Sequence, residues 1–307
     1  MVARMTTPRC VVQCMIACAA LESSALADDT ADPKADPKAE KPSDDKPAGS
    51  PAPAQAKAPA PLGVTLTLTS TAQLQDVDQR TLMFVANGSY TLSSGVSVFG
   101  RLGWVNDHGA DGSAVANFLI GASMPIALPG PFGLTVRAVV TPPVGTGGGR
   151  DADPAALRAS LMATDWGGPM FAPNHLSLGV GARLSFGHPP VFAFVDSILY
   201  SATRLRGGGV DPLGPSVAFS ATQAVVGYIA SAFVFYGGLA QTRYWGNPQF
   251  LGNAAADHDD VYGVGGVGWT HAGDKPLHLG LLYGRSVDSP KTDRNFQIFE
   301  LSIAVDF

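Results

Sequence analysis

The sequence predicts an all-β fold, a closed antiparallel up-and-down transmembrane β-barrel of about twelve strands, preceded by a signal peptide and a disordered linker. Apolar residues alternate with small or polar ones in repeated segments from residue 63 onward. The connections between these segments are alternately short and long. The chain also begins with a segment typical of protein export. Together these features indicate a barrel that is exported and then inserted into a membrane.

Residues 1–27 have the organisation of a secretory signal peptide. Arg4 and Arg9 precede an apolar run, and Ala25-Leu26-Ala27 forms a small-residue cleavage site. The run is too short for a membrane helix, which needs about 20 apolar residues. All 3 cysteines of the chain lie in this segment. Cleavage after Ala27 therefore leaves a mature protein without disulfides or cysteine chemistry.

Residues 28–62 are rich in Pro, Ala, Asp and Lys and contain a doubled Asp-Pro-Lys-Ala unit. Such a stretch has too few large apolar side chains to offset the entropy lost on ordering. We interpret it as a disordered linker, stiffened by its prolines. The barrel domain then takes residues 63–307.

Alternating patterns predict twelve strands, each close to the roughly 9 to 11 residues that a tilted strand needs to cross a bilayer. The predicted strands are 63–72, 81–92, 96–105, 114–126, 133–143, 175–186, 191–201, 216–229, 233–244, 261–271, 277–285 and 296–307.

The predicted connections fall into two classes. Links after even-numbered strands are tight, such as "SSG" and "GHPP", whereas links after odd-numbered strands are long, such as residues 144–174. The sixth strand places Leu176, Leu178 and Val180 on one face and Ser177 and Arg183 on the other. This pattern fits a closed sheet with apolar side chains outside and polar side chains inside. Closure pairs every backbone N–H and C=O group and leaves no exposed edge.

The chain ends in "FELSIAVDF", an alternating strand with an aromatic residue last. With the signal peptide and the loop asymmetry, this strand resembles those of Gram-negative outer-membrane β-barrel proteins, including porins. The resemblance implies an outer-membrane location, contact with outer-membrane lipid, and a terminal signal read by the barrel-assembly machinery. The residues of that implied signal are Phe299, Leu301, Ile303, Val305 and Phe307.

Five charged residues are expected to face the lumen at middle depth, because an Arg that faced lipid there would cost roughly 2 to 4 kcal/mol. They are Arg101, Arg137, Arg183, Asp196 and Glu300. The arginines would form a basic wall, with the carboxylates opposing it. This pattern predicts a passive channel or small-solute transporter with a charged lumen. The alternative is that the charges pair across strands and fill a plugged barrel with a structural or interaction role.

A transporter of hydrophobic compounds is also open. Phe99, Phe192 and Phe194 could reach the interior, and Pro142-Pro143 could bend the fifth strand.

The long loop 144–174 contains a predicted short helix. Asp153 precedes Pro154, which suits a first helical position, and Leu157 and Leu161 lie one turn apart. The apolar stripe needs a surface to cover it. We expect the helix to fold into the barrel mouth as a constriction; the alternative places it on neighbouring loops.

His175 and Ser177 form the alternative candidate site, a lipid hydrolase. The stretch is similar to the His-x-Ser motif of outer-membrane phospholipases and lipid A deacylases, but Leu178 follows the serine where those families have Asn. Both residues also share the strand face of Arg183, which is expected to face the lumen. The sequence therefore predicts a protein that is not an enzyme.

No cofactor, metal site or nucleic-acid partner is expected. The acidic loops 106–113 and 257–260 lack the spacing of an EF-hand. The formal net charge is -5, and no basic stripe is present. The predicted partners are therefore lipid, the assembly machinery and a small solute in the lumen.

Deleting Phe307 should reduce insertion into the outer membrane, because the terminal aromatic residue is the implied assembly signal. The unfolding temperature of barrel refolded in detergent should change little. Membrane fractionation and heat-modifiable gel mobility measure the two effects, with Phe307→Tyr as an aromatic control. Normal membrane levels of the deletion variant would contradict the prediction.

Overall fold

The structure is a computed structural model of the chain. It describes residues 62–73, 76–109, 111–149, 153, 168–207, 214–245, 259–271, 276–288 and 296–306. The predicted signal peptide and nearly all of the predicted linker, residues 1–61, lie outside this described part, so both stay predictions.

Thirteen strand segments and one short 3-10 helix make up the described part of the chain. The strands are β1 (Leu62–Gln73), β2 (Asp76–Thr91), β3 (Ser97–Asp107), β4 (Gly112–Val115), β5 (Leu119–Ala127), β6 (Phe132–Thr141), β7 (His175–His188), β8 (Val191–Arg204), β9 (Ser216–Ala230), β10 (Phe233–Trp245), β11 (Asp259–His271), β12 (Leu277–Asp288) and β13 (Phe296–Asp306). The 3-10 helix is Gly168–Phe171. No helix in the described ranges is long and apolar enough to cross a membrane.

The strands close into a single antiparallel barrel. Sequential strands pair with each other, and β1 pairs with β13 along its whole length. β4 and β5 both pair with β3, at its two ends, and together they form the fourth of twelve barrel strands. The prediction of a closed up-and-down barrel of twelve strands is confirmed.

Two details differ from the predicted strands. The predicted fourth strand is interrupted at residues 116–118, where the chain leaves the ladder. The predicted loop between the first two strands is instead largely strand, since β1 continues to Gln73 and β2 begins at Asp76. The polar residues there broke the apolar alternation, but polar side chains are tolerated on strand ends that extend beyond lipid.

The outer face of the barrel is apolar, and the inner face combines polar side chains with three apolar clusters. In β1, Leu66 and Leu68 are exposed on the outside, whereas Thr65, Thr67 and Thr69 are buried on the inside. The last strand follows the same rule. Its outward residues Phe299, Leu301 and Ile303 are exposed, and Val305 is half-buried. Phe307 lies outside the described residues.

Exposed aromatic side chains collect at two levels of the outer face, as in transmembrane barrels. Those near the tight turns are Tyr90, Phe132, Tyr228 and Phe233. Those toward the long loops are Trp104, Trp245, Tyr283 and Phe299. Such belts fit the two interfaces of a bilayer.

Inside the barrel, four aromatic rings lie over glycines directly opposite on the neighbouring strand. The pairs are Phe99 with Gly121, Tyr200 with Gly179, Phe192 with Gly227, and Tyr236 with Gly266. A Cβ atom at Gly121 would lie 2.2 Å from Cζ of Phe99. The glycines therefore leave room for the rings against the wall.

Replacing Gly121 by alanine should destabilise the barrel by about 1–3 kcal/mol, because the new methyl group would overlap the ring of Phe99. Gly88→Ala is the matched control, since nothing lies within 4 Å of the added Cβ there. Urea unfolding of barrel refolded in detergent measures both. Equal stability of the two variants would show that the ring moves without cost.

Candidate functional site

Three charged side chains of the inner wall form one ion cluster. Arg183 and Asp196 lie opposite each other on β7 and β8. The Nε and Nη2 atoms of Arg183 donate hydrogen bonds to Oδ2 of Asp196 at 3.1 and 2.5 Å. Arg137, on β6, donates from Nη2 to the other oxygen, Oδ1. One carboxylate therefore binds two guanidinium groups from two other strands.

This cluster is almost completely shielded from solvent. The side chain of Asp196 is 1% exposed, against 8% for Arg183 and 13% for Arg137. The guanidinium carbon of Arg183 also lies 4.9 Å from the ring centroid of Phe194, within the range of a cation–π contact. Removing one partner from a buried ion pair typically costs about 3–5 kcal/mol, so the three side chains hold one another in place.

The other two predicted lumen residues lie elsewhere on the inner wall. Arg101 is half-buried on β3, opposite Asn87 of β2. Glu300 is buried on β13, and its Oε2 accepts a hydrogen bond from Thr69 at 3.5 Å. Asp196 was expected to oppose the arginines, but it belongs to the basic wall itself, because it lies on the strand next to Arg183.

Small polar side chains line the part of the wall formed by β13, β1 and β2. This hydroxyl wall consists of Thr65, Thr67, Thr69, Asn87, Ser89 and Ser302, all buried. Among the described residues, Oγ1 of Thr67 and Oδ1 of Asn87 have no hydrogen-bond partner, and neither does Oγ of Ser123 on β5. Alternation along the predicted first strand places Thr65, Thr67 and Thr69 inward, and the structure adds that they lie on a different part of the wall from the ion cluster.

Residues 168–174, which we call the mouth segment, pack into the loop-side half of the interior. Met170 and Phe171 are each 1% exposed. A Cβ atom at Gly103 of β3 would lie 3.1 Å from Met170 and 3.2 Å from Phe171. Both side chains belong to an apolar cluster that includes Val105, Phe219 and Tyr244. Its other large members are Met83, Leu119, Val139, Ile198, Tyr200 and Val217.

The break in the fourth barrel strand is the docking point of the mouth segment. Asn117 is 0% exposed. Its backbone N–H donates to the carbonyl of Met170 at 2.6 Å, and its Nδ2 donates to the carbonyl of Ala172 at 2.6 Å. Its Oδ1 accepts from the backbone of Gly145 at 2.7 Å. The strand leaves the ladder here because Asn117 gives its hydrogen bonds to the loop.

The far end of the mouth segment is fixed by hydrogen bonds within its own loop and to the loop that follows β8. The carbonyl of Asn174 accepts from the backbone of Leu205 at 2.9 Å, and its Oδ1 accepts from Gly149 at 2.7 Å. Arg206 donates from Nη2 to the carbonyls of Gly145 and Pro173 at 2.7 and 2.8 Å. The mouth segment is thus held at both ends.

The predicted constriction lies in the same long loop but in an earlier stretch. Asp153 is exposed, and Leu157 and Leu161 lie outside the described residues, so that helix stays a prediction. The mouth segment was not singled out in the sequence. Its signal was the apolar pair Met170-Phe171 between Pro169 and Pro173, directly before a strand.

His175 and Ser177 both face the interior and are each 1% exposed. Nε2 of His175 lies 3.0 Å from the carbonyl oxygen of Gly214. The pair lies beneath the loops and away from the lipid-facing surface. Within the described ranges, no group of three or more His, Cys, Asp or Glu side chains could hold a metal ion.

Comparison with solved structures supports the class of the fold. No protein-family model matches the chain. No curated protein sequence matches it. An outer-membrane channel from Pseudomonas putida F1 is similar in structure, with TM-score 0.52 and 13% identity, over 83% of this chain and 100% of that one.

Two porins are also similar, at lower scores. The NanC porin has TM-score 0.48 and 10% identity, over 79% of this chain and 98% of its own. The KdgM porin, solved with disordered oligogalacturonate, has TM-score 0.46 and 6% identity, over 79% and 99%. The chain therefore shares the closed antiparallel β-barrel fold of the outer-membrane channel from Pseudomonas putida F1. At these identities the likeness concerns the fold alone.

Replacing Asn117 by alanine should release the mouth segment, because both side-chain hydrogen bonds to the loop are lost. At about 1 kcal/mol for each bond, the opened population should rise about tenfold or more. Chymotrypsin cleavage after Phe171 measures this opening. Asn106→Ala, on the outer side of β3, is the control; equal cleavage of the two variants would contradict the prediction.

Proposed function

We propose that this protein is an outer-membrane channel for small polar solutes, and that conduction requires displacement of the mouth segment. The observation that carries the proposal is the set of buried polar groups on the inner wall. At mid-height the wall holds an ion cluster, and Thr67, Asn87 and Ser123 present polar atoms that have no partner among the described residues. These groups favour an interior that accepts water and polar solutes.

The energetics of these polar atoms support a channel over a filled scaffold. Leaving a buried donor or acceptor unsatisfied costs about 1–3 kcal/mol. A filled barrel would avoid that cost by placing apolar side chains at these positions too, as it does elsewhere on the inner wall. Water or a solute in the lumen would supply the missing hydrogen bonds along the hydroxyl wall. A conducting path is therefore expected beside this wall.

The mouth segment would act as the gate of such a path. Met170 and Phe171 pack into the loop-side half of the interior, and their anchors are hydrogen bonds that can break locally without unfolding the barrel. Loops that gate binding sites are typically drawn from the less stable parts of a structure. Low conductance in the closed state, with brief openings, is the expected behaviour.

A second candidate is a structural or interaction barrel whose lumen is permanently plugged. The burial of Met170 and Phe171, each 1% exposed, favours it. In that case the loops would present a surface to a partner, and the ion cluster would serve only stability. The two candidates differ in one measurable property, which is ionic current.

The proposed location is the outer membrane, with lipid against the exposed apolar face and its two aromatic levels. Insertion by the barrel-assembly machinery, with β13 as the strand it recognises, completes the proposal. A lipid hydrolase is not supported, because His175 and Ser177 face the interior.

Planar-bilayer recordings test the channel directly. The wild type should show small, infrequent current steps, and the double variant Met170→Ala/Phe171→Ala should show steps at least severalfold more frequent, because the apolar closure is lost. Leu178→Ala, on the outer face of β7, is the control for altered folding or insertion. Absence of current from both the wild type and the double variant would overturn the channel and favour the plugged barrel.

A further inference from the structure

The ion cluster contains a buried donor atom that has no acceptor among the described residues. Arg137 and Arg183 both bind the carboxylate of Asp196. Nε of Arg137 is buried and has no hydrogen-bond partner within the described part of the chain. An anionic oxygen is a suitable acceptor for such a guanidinium N–H group.

A buried hydroxyl stands beside the cluster. Ser123 of β5 lies directly opposite Arg137 of β6, so the two are nearest cross-strand neighbours on the inner face. Ser123 is 2% exposed, and its Oγ has no hydrogen-bond partner among the described residues. A hydroxyl that donates to an anionic oxygen beside an arginine is a common element of oxyanion recognition.

A neighbouring buried serine, Ser97, has a hydrogen-bond partner within the protein. Ser97 lies opposite Ser123 on β3 and is also buried. Its Oγ is 2.9 Å from Oγ1 of Thr91. Two inward serines therefore face each other across strands, and the one next to the arginine has no hydrogen-bond partner within the described ranges. This difference between the two serines favours a ligand beside Arg137.

We propose that Arg137, Arg183 and Ser123 form an oxyanion-binding subsite in the lumen, which takes small solutes bearing a phosphate or carboxylate group. This inference rests on the proposed function only in that the solute reaches the subsite through the lumen. The guanidinium groups supply charge and paired donors, and Ser123 supplies a further donor.

Asp196 has two effects in this subsite. It holds both arginine side chains in fixed positions, which lowers the ordering cost of binding. It also competes with the solute for the same donors, so binding is weak enough for the solute to leave. A conducting pore needs binding that is favourable but reversible. Asp196 is thus a positioning residue that also limits affinity.

The test uses the refolded barrel in detergent, with inorganic phosphate as the probe and calorimetry at low ionic strength as the readout. Ser123→Ala should weaken phosphate binding about two- to tenfold, the equivalent of one hydrogen bond. Arg137→Gln should weaken it more than tenfold, since a charged donor is lost. Ser97→Ala is the matched control and should change the affinity less than twofold.

The Asp196→Asn variant shows whether Asp196 competes with the solute for the arginine donors or only holds the arginine side chains in place. If Asp196 competes with the solute, phosphate should bind the variant more tightly, whereas Glu300→Gln, which removes a carboxylate from another strand, should change the affinity less than twofold. Far-UV circular dichroism and heat-modifiable mobility check that each variant is folded. If Arg137→Gln does not fold, Arg137→Lys keeps the charge, loses the forked donors and should weaken binding severalfold.

Equal phosphate affinity of the wild type, Ser123→Ala and the arginine variant would overturn the subsite, as would absence of binding to the wild type. These outcomes are distinct from failure of the channel. Current without phosphate binding would overturn the subsite and leave the channel in place. Phosphate binding without current, in the wild type and in the mouth-segment variant, would overturn the channel and leave the subsite.

Discussion

Closure of the sheet between β1 and β13 is the constraint on which the rest of the structure depends. A strand surrounded by lipid has no water to satisfy its backbone N–H and C=O groups, so each strand must pair on both sides. The register of β1 and β13 runs from Gly63 opposite Asp306 to Gln73 opposite Phe296. Because closure fixes the tilt and stagger of the strands, it also fixes which side chains meet inside.

The interior differs from one side to the other. Arginines and aromatic rings line one part of the wall, and small hydroxyl side chains line another. Glycine makes this asymmetry feasible. Where Phe99 or Tyr200 faces inward, the strand opposite has a glycine, and the ring occupies the space of the missing side chain. Large rings can then line a narrow interior without crossing it.

Period-two alternation made the barrel predictable from the sequence. The outward direction of Leu66, Leu68 and Leu301 followed from the alternation alone, because lipid requires an apolar outer side on every strand. The break at Asn117 was not predictable, since residues 114–126 alternate as a continuous strand would. The partners of Asn117 lie in a distant part of the chain, and local patterns do not record such contacts. Likewise, the alternation placed Arg137, Arg183 and Asp196 on the inner face. Only the pairing register of the strands in the structure showed that the three side chains form one ion cluster.

The break in the fourth barrel strand also bears on how the protein can change during evolution. Thr146, near the start of the long loop, and Met170, near its end, bind within two residues of each other, at Val115 and Asn117. The chain between them leaves and returns at nearly one point. The entropy of closing such an excursion depends only weakly on its length. Insertions or deletions between these anchors can therefore change the length of this loop while the mouth segment keeps its position.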